Sequence, residues 1–239
     1  MSISEKVLQL KQDFDEVHNK GYEDGKNSVV QFDRYLQNGS TLVGLGIFNN
    51  NEIELNLDNM TGLHSFLYEQ KEQYKNTAVE HLIINCPNTV TNIQQAVRCT
   101  GACTDTVLKK VTFNFSTQSI TNCFQTFGNR QALETIDGVP LDFSSNTTNN
   151  IQPFVNCYSL KNFKVVKNSI NKTFLVAHSN LLSTDTIQSI IDGLATVSTA
   201  QTLTLHNNLK ILQSQVDSAN AKGWTVAGGT VVSEEEYYA

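Results

Sequence analysis

The chain has 239 residues, room for one large domain or two small ones, and only 17% of them are charged, below the ~25% of ordinary globular chains. Seventeen basic and 23 acidic side chains leave a net charge of -6 with no basic cluster, which excludes a surface that tracks the phosphates of a nucleic acid. Three prolines and 13 glycines exclude a Pro-rich or collagen-like chain, and no run approaches the ~18 consecutive apolar residues of a membrane span.

The first predicted element is a helix. Ile3, Val7, Leu10, Phe14 and Val17 are spaced four, three, four and three, the seam of a coiled coil. The seam lasts about two heptads before Gly21, and a helix this short needs a partner to bury it. That partner is another copy, an assembly, or the rest of the chain. The stretch "MSISEKVLQLKQDFDEVH" is charged and amphipathic, without the features of a signal peptide, so cytoplasmic synthesis is expected. After Gly21 and Gly25, Val29, Phe32, Tyr35 and Leu36 resume helical spacing, and Asn38-Gly39 is a stop signal. Residues 40–58 hold two strand-like runs, "TLVGLGIF" and "EIELNL", separated by a turn of asparagines. "LHSFLYEQKEQY" has helical spacing.

From residue 79 a pattern recurs: F-x-x-C-x-x-L-x-x-φ-x-φ, with φ any apolar residue. Phe154, Cys157, Leu160, Phe163 and Val165 form the fullest copy. Phe127, Leu133 and Ile136 match it, as do Leu108, Val111 and Phe113, and Val79, Leu82 and Ile84. Leu194, Val197, Ala200, Leu203 and Leu205 fit the same frame. The anchors Leu82, Val111, Ile136 and Phe163 follow one another at steps of 29, 25 and 27 residues, read directly from their numbers. The longer interval to Leu203 holds the extra run "TFLVAHS", and Phe174 to Leu203 restores a step of 29. A period of this size is the signature of stacked repeats. Each φ-x-φ places two apolar side chains on one face of a short strand. The return segments "IQQAV", "ITNCFQTF", "IQPFVNCY" and "TDTIQSIIDGLATV" are expected as helices or irregular turns. The prediction is one continuous solenoid over 79–228 with a parallel sheet along one side.

At these residues the chain resembles the BspA-like leucine-rich repeats of bacterial and phage proteins. The stretch from Leu181 to Gly229, with its final "KGWTVA", is similar to the end of leucine-rich-repeat proteins encoded in phage and prophage tail and baseplate regions. Those proteins tend to begin with a short Gly-punctuated helical segment and an aromatic motif, here "QFDRYLQNG". The resemblance covers 1–38 and 79–228 and implies an α/β leucine-rich-repeat solenoid, with a parallel sheet on one side and helices or irregular turns on the other. The expected division is an N-terminal helical anchoring and oligomerisation segment at 1–38, a connecting region at 39–78, and the solenoid with its capping unit at 79–239. The implied role is a non-enzymatic virion component of tail, baseplate or fibre, made in the bacterial cytoplasm. Its partners would be other virion proteins and itself, a trimer first, with a host-surface protein or glycan as ligand. The alternative is a bacterial surface adhesin.

A ligand is expected on the open sheet face, where alternation places the residues flanking the anchors. These are His81, Ile83 and Asn85; Lys110, Thr112 and Asn114; Thr135 and Asp137; Asn162 and Lys164; and Thr202, Thr204 and His206. An ordinary solvated face has the same composition. No cofactor or metal is expected. The histidines show no metal-binding spacing, and Cys99 and Cys103 lack a second ligand pair. The cysteines, five in number, read as reduced, buried apolar residues. Asp137, Asp142, Asp185 and Asp192 are scattered over different elements, and nothing selects a catalytic pair among them.

Overall fold

The computed structural model describes the backbone of residues 31–38 and 41–49, and residues 52–57, 80–99 and 108–238 in full. The repeated anchors build the first sheet. Strands β1 (Gln31–Asn38), β2 (Thr41–Asn49) and β3 (Glu52–Asn56) form an antiparallel meander. Strands β4 (His81–Asn85), β5 (Lys110–Phe113) and β6 (Thr135–Gly138) follow in parallel, giving a six-stranded sheet in sequence order. Ile53, Leu82, Val111 and Ile136 are direct neighbours, as are Leu55, Ile84 and Phe113, and all seven are buried. Steps from 82 to 111 to 136 therefore each advance one strand.

A second, four-stranded parallel sheet contains β7 (Asn150–Ile151), β8 (Thr173–Leu175), β9 (Gln201–Thr204) and β11 (Trp224–Ala227). Strands β10 (Lys210–Leu212) and β12 (Thr230–Val232) form a parallel pair of their own. Three helices are described: α1 (Thr184–Gly193), α2 (Gln213–Ala221) and α3 (Glu234–Tyr238). The protein is thus α/β, with parallel sheets and few helices, and no sheet closes into a barrel among the described residues. None of these helices is long and apolar enough to cross a membrane.

The single continuous sheet expected over 79–228 is instead divided among the six-stranded sheet, the four-stranded sheet and the β10–β12 pair. Phe174 and Leu203 are neighbours at the expected step, but they belong to the second sheet, whose column starts at Ile151. The first sheet ends differently. Beyond β6 it continues only as isolated bridges, Thr135 to Asn162 and Leu141 to Val165. There α1 takes the place of the next strand. Thr186 Oγ1 accepts from Phe163 N at 3.3 Å and Ser189 Oγ accepts from Val165 N at 2.9 Å. Side-chain hydroxyls thus satisfy the exposed edge that another strand would have paired. The helix starts where Ser183 Oγ accepts from Thr186 N, and it buries Ile187, Ile190 and Ile191.

Three other expectations are corrected. Residues 31–38 are strand β1, although Phe32, Tyr35 and Leu36 have helical spacing. Pairing with β2 along the whole element overrides that local period. The segment boundaries at 38/39 and 78/79 do not divide the structure, since β1 pairs with β2 and β3 with β4 across them. Cys99 is disulfide-bonded, whereas Cys86, Cys123 and Cys157 are free thiols. The seam Ile3–Val17 and the stretch "LHSFLYEQKEQY" lie outside the described residues.

The return segments around residues 94–97, 124–129 and 153–156 are turns rather than helices. They stack on one another as strands do: Gln95 N donates to Phe124 O and Gln125 N to Gln152 O, both at 3.0 Å. Gln95, Gln125, Asn129 and Asn156 adopt positive φ. Asparagine tolerates that conformation because its short side chain bonds locally. Asn156 Nδ2 donates to Asn129 Oδ1 at 2.8 Å, and Asn129 Nδ2 to Cys99 O at 2.9 Å.

Inside, phenylalanines form a spine. Ring centroids are 5.5 Å apart for Phe113 and Phe127, 5.7 Å for Phe127 and Phe154, and 4.6 Å for Phe154 and Phe163. Phe154 also meets Phe174 of β8 edge-on at 6.5 Å, so it joins the two sheets. Phe154, Cys157, Leu160, Phe163 and Val165 are all buried, which is why they recur at that spacing.

Candidate functional site: the outward sheet faces

The alternation that buries the anchors turns the intervening side chains outward. On the first sheet these side chains are joined across strands. Glu52 Oε2 lies 2.7 Å from His81 Nδ1, and His81 Nε2 lies 2.8 Å from Thr112 Oγ1. Thr112 Oγ1 donates to Asp137 Oδ1, while Lys110 Nζ holds Asp137 Oδ2 at 2.7 Å. One connected network therefore spans β3, β4, β5 and β6. Beside it, Asn85 Nδ2 reaches Glu54 at 2.6 Å and Asn56 at 2.7 Å, and Asn114 Nδ2 donates to Asn85 Oδ1 at 2.8 Å. A third row pairs Glu80 with Lys109 at 3.3 Å and Glu134 with Lys161 at 2.9 Å.

Burial pushes the Asp137 carboxyl upward. The hydrogen bonds from Lys110 and Thr112, with the charges of Lys110 and His81, outweigh that and hold it below the usual carboxylate range. Contacts running Thr112, His81, Glu52 follow the order of a hydrolase triad. In this arrangement the hydroxyl proton goes to Asp137, not to His81, so the imidazole is not drawing it off. The remaining candidate carboxylates have local settings: Asp142 Oδ1 accepts from Ser144 N at 2.8 Å and Asp192 Oδ1 from Gln188 Nε2 at 2.9 Å, while Asp185 sits in the first turn of α1. Burial pushes the thiols of Cys86, Cys123 and Cys157 up to about 12, so they are protonated and poor nucleophiles. No cluster able to hold a metal ion occurs among the described residues.

The thirteen sequence-predicted face residues do not form one site. His81, Ile83, Asn85, Lys110, Thr112, Thr135 and Asp137 lie on adjacent strands of the first sheet. Asn114 follows β5 directly. Asn162 and Lys164 extend that face past β6, with Asn162 Oδ1 accepting from Ser183 Oγ at 3.0 Å. Thr202 and Thr204 lie on the second sheet, and His206 just beyond it accepts from Asn208 N at 3.1 Å. Sequence reasoning alone misses Glu52, Glu54 and Asn56, and the row Glu80, Lys109, Glu134, Lys161. The signal is present: "EIELN" has the alternation of "HLIIN", and each member of the row stands one residue before its strand or bridge.

The second face has a different chemistry. None of the strands β7, β8, β9 and β11 carries a charged side chain. Asn150 lies beside Thr173, Thr202 N donates to Thr173 Oγ1 at 3.4 Å, and Thr202 lies beside Thr225. Gln201 Oε1 accepts from Thr173 N and Oγ1, at 2.8 and 3.1 Å. Among the described residues no protein partner binds the hydroxyls of Thr202, Thr204 or Thr225. No protein-family model, curated protein or solved structure matches the chain.

Proposed function

We propose that the protein is a non-enzymatic phage virion component, of the tail, baseplate or fibre, in which a leucine-rich-repeat solenoid is presented for binding to a protein or to the host surface. The observation that carries this reading is the in-register stacking of the anchors, Leu82 on Val111 on Ile136 and Phe174 on Leu203, beneath open polar faces. The resemblance of the C-terminal unit to tail-region repeat proteins supports the setting. The seam residues Ile3, Val7, Leu10, Phe14 and Val17, ahead of β1, anchor the chain in the assembly, as a trimer or on a neighbouring virion protein. The ligand sits on the second face, where the hydroxyls of Thr202, Thr204 and Thr225 are unspent; an uncharged face suits a neutral glycan or a polar protein surface. A bacterial surface adhesin would use the same face.

Immunogold labelling of purified particles, with binding of the labelled full chain to host cells, tests the proposal. Gold at the tail together with saturable cell binding is the expected result. Gold at the cell envelope of uninfected bacteria would favour the adhesin. Absence from both particle and envelope would refute both readings.

A further inference from the structure

The hydroxyl of Thr112 has one proton and two neighbours that could take it. Asp137 Oδ1 accepts it. That carboxyl is held below its usual range by Lys110 and Thr112 against the opposing effect of burial, so it is ionised and supplies no proton of its own. With the Thr112 proton committed, the 2.8 Å contact from His81 Nε2 to Thr112 Oγ1 is a hydrogen bond only if Nε2 carries hydrogen. With Glu52 a carboxylate, which can only accept, the 2.7 Å contact from His81 Nδ1 to Glu52 Oε2 is a bond only if Nδ1 carries hydrogen as well. Counting protons around this chain of atoms leaves one complete solution, in which both ring nitrogens donate.

We infer that His81 is held as the imidazolium and acts as a proton-operated clamp between the antiparallel meander ending in β3 and the parallel stack beginning at β4. The groups facing it agree. Glu52 and Glu54 lie on β3, Asp137 on β6, and Glu80 precedes His81 on its own rung. The nearby cations are both engaged: Lys110 on β5 by Asp137 Oδ2 at 2.7 Å, and Lys109 just before it by Glu80 at 3.3 Å. The His81 side chain is 22% exposed, so solvent protons reach it. Loss of the ring proton leaves three contacts and two protons. If Nδ1 keeps its hydrogen on Glu52, then Nε2 and Asp137 compete for the Thr112 hydroxyl. If Nε2 keeps it, Glu52 loses its bond to β4. Either way one lateral tie is removed, and the seam between meander and stack loosens as pH rises.

Two-bond proton–nitrogen NMR correlation on the full chain reads the protonation of each ring nitrogen, with His81 assigned by its absence in H81Q. At neutral pH both nitrogens of His81 are expected in the protonated state. T112V and E52Q should each lose the second proton at lower pH than the native chain. Hydrogen-exchange protection of the β3 and β4 amides, corrected for the intrinsic rate, should fall several-fold as His81 deprotonates and should be flat with pH in H81Q. A bare ring nitrogen in the native chain at neutral pH would overturn the inference. So would unchanged titration in both T112V and E52Q, which carry the comparison if H81Q does not fold.

Discussion

The parallel half of the six-stranded sheet and the four-stranded parallel sheet are made from the same kind of short strand over the same phenylalanine spine, yet their outer faces hold the strands together in different ways. On the first, opposite charges alternate across neighbouring rungs: Glu52 to His81, Lys110 to Asp137, Glu80 to Lys109, Glu134 to Lys161. On the second, no strand carries a charge, and neighbours are tied by backbone ladders and the amide of Gln201. A parallel stack can slip in register, and cross-strand pairs of opposite charge oppose slippage. The first sheet spends its outward side chains on that task. The second leaves its hydroxyls free, while α2 packs against β11 and the buried Trp224 indole donates to Ala195 O at 2.8 Å. Side chains paired across strands in this way leave fewer hydrogen-bonding groups to offer a ligand than the hydroxyls of the second face.

The largest way to break the comparison is through what the sheets share. Phe154 touches Phe127, Phe163 and Phe174 and is fully buried. Phe154→Ala should cost about 3–5 kcal/mol in chemical denaturation, by lost transfer energy and a cavity at the junction. Both sheets should lose hydrogen-exchange protection together. If only one does, the spine does not couple them.

Next come the glycines that close each sheet. Gly138 ends β6 with φ +89°, and a Cβ there would lie 2.2 Å from Phe113 O. Gly228 follows β11 with φ +76°, and a Cβ would lie 2.2 Å from Leu205 O. Each needs positive φ and a close approach to the preceding rung, so Gly138→Ala and Gly228→Ala should each cost about 1–3 kcal/mol. Equal costs would show that the rung geometry is independent of face chemistry. A near-neutral Gly228→Ala would mean that the last rung yields where the first sheet does not.

These glycines also mark how much is legible in the sequence. The anchors are, because a φ-x-φ pair recurring near one period fits stacked strands and little else. Leu82, Val111 and Ile136 sit where the spacing puts them. The split into separate sheets is not legible. Phe163 and Phe174 are both apolar anchors, and only the capping of Phe163 and Val165 by Thr186 and Ser189 shows that one column stops. Side-chain hydroxyls standing in for a strand leave no periodic trace. Strand β1 has a helical signature because Phe32, Tyr35 and Leu36 satisfy that period, while the pairing that makes it a strand is set by β2 and not by its own residues. Glu52 and the row from Glu80 to Lys161 escape a sequence reading because a cross-strand partner lies 25 to 31 residues away, as with Thr112 to Asp137 and His81 to Thr112.

A smaller effect separates the two faces by pH. Asp137 titrates below the usual carboxylate range through its bonds to Lys110 and Thr112, which outweigh burial. It therefore contributes stability that is present above the unfolded carboxylate value and is lost as pH falls through the lower folded one. Asp137→Asn should flatten that acid limb in denaturation series. At neutral pH and moderate salt it should cost only about 0–1 kcal/mol, since the pair is half exposed. A charge change confined to the first sheet should leave exchange in β8 and β9 as it was.

The smallest effect on stability should be the largest on binding. Thr202, Thr204 and Thr225 point outward from β9 and β11, and none of their hydroxyls has a protein partner among the described residues. Removing all three, as Thr202→Ala, Thr204→Ala and Thr225→Ala together, should shift stability by no more than about 0.5 kcal/mol per site, because nothing inside the protein depends on them. A ligand that uses them would lose several hydrogen bonds at once, and its affinity should fall at least tenfold, about 1.4 kcal/mol. The control is Thr112→Val on the first sheet. There the hydroxyl is already spent on Asp137, so host-cell binding should be unchanged while the Glu52–His81–Asp137 network is disturbed. If the triple variant binds as the native chain does and Thr112→Val does not, the roles of the two faces are reversed. The charged ladder would then be the ligand site, and the hydroxyl face simple solvated surface.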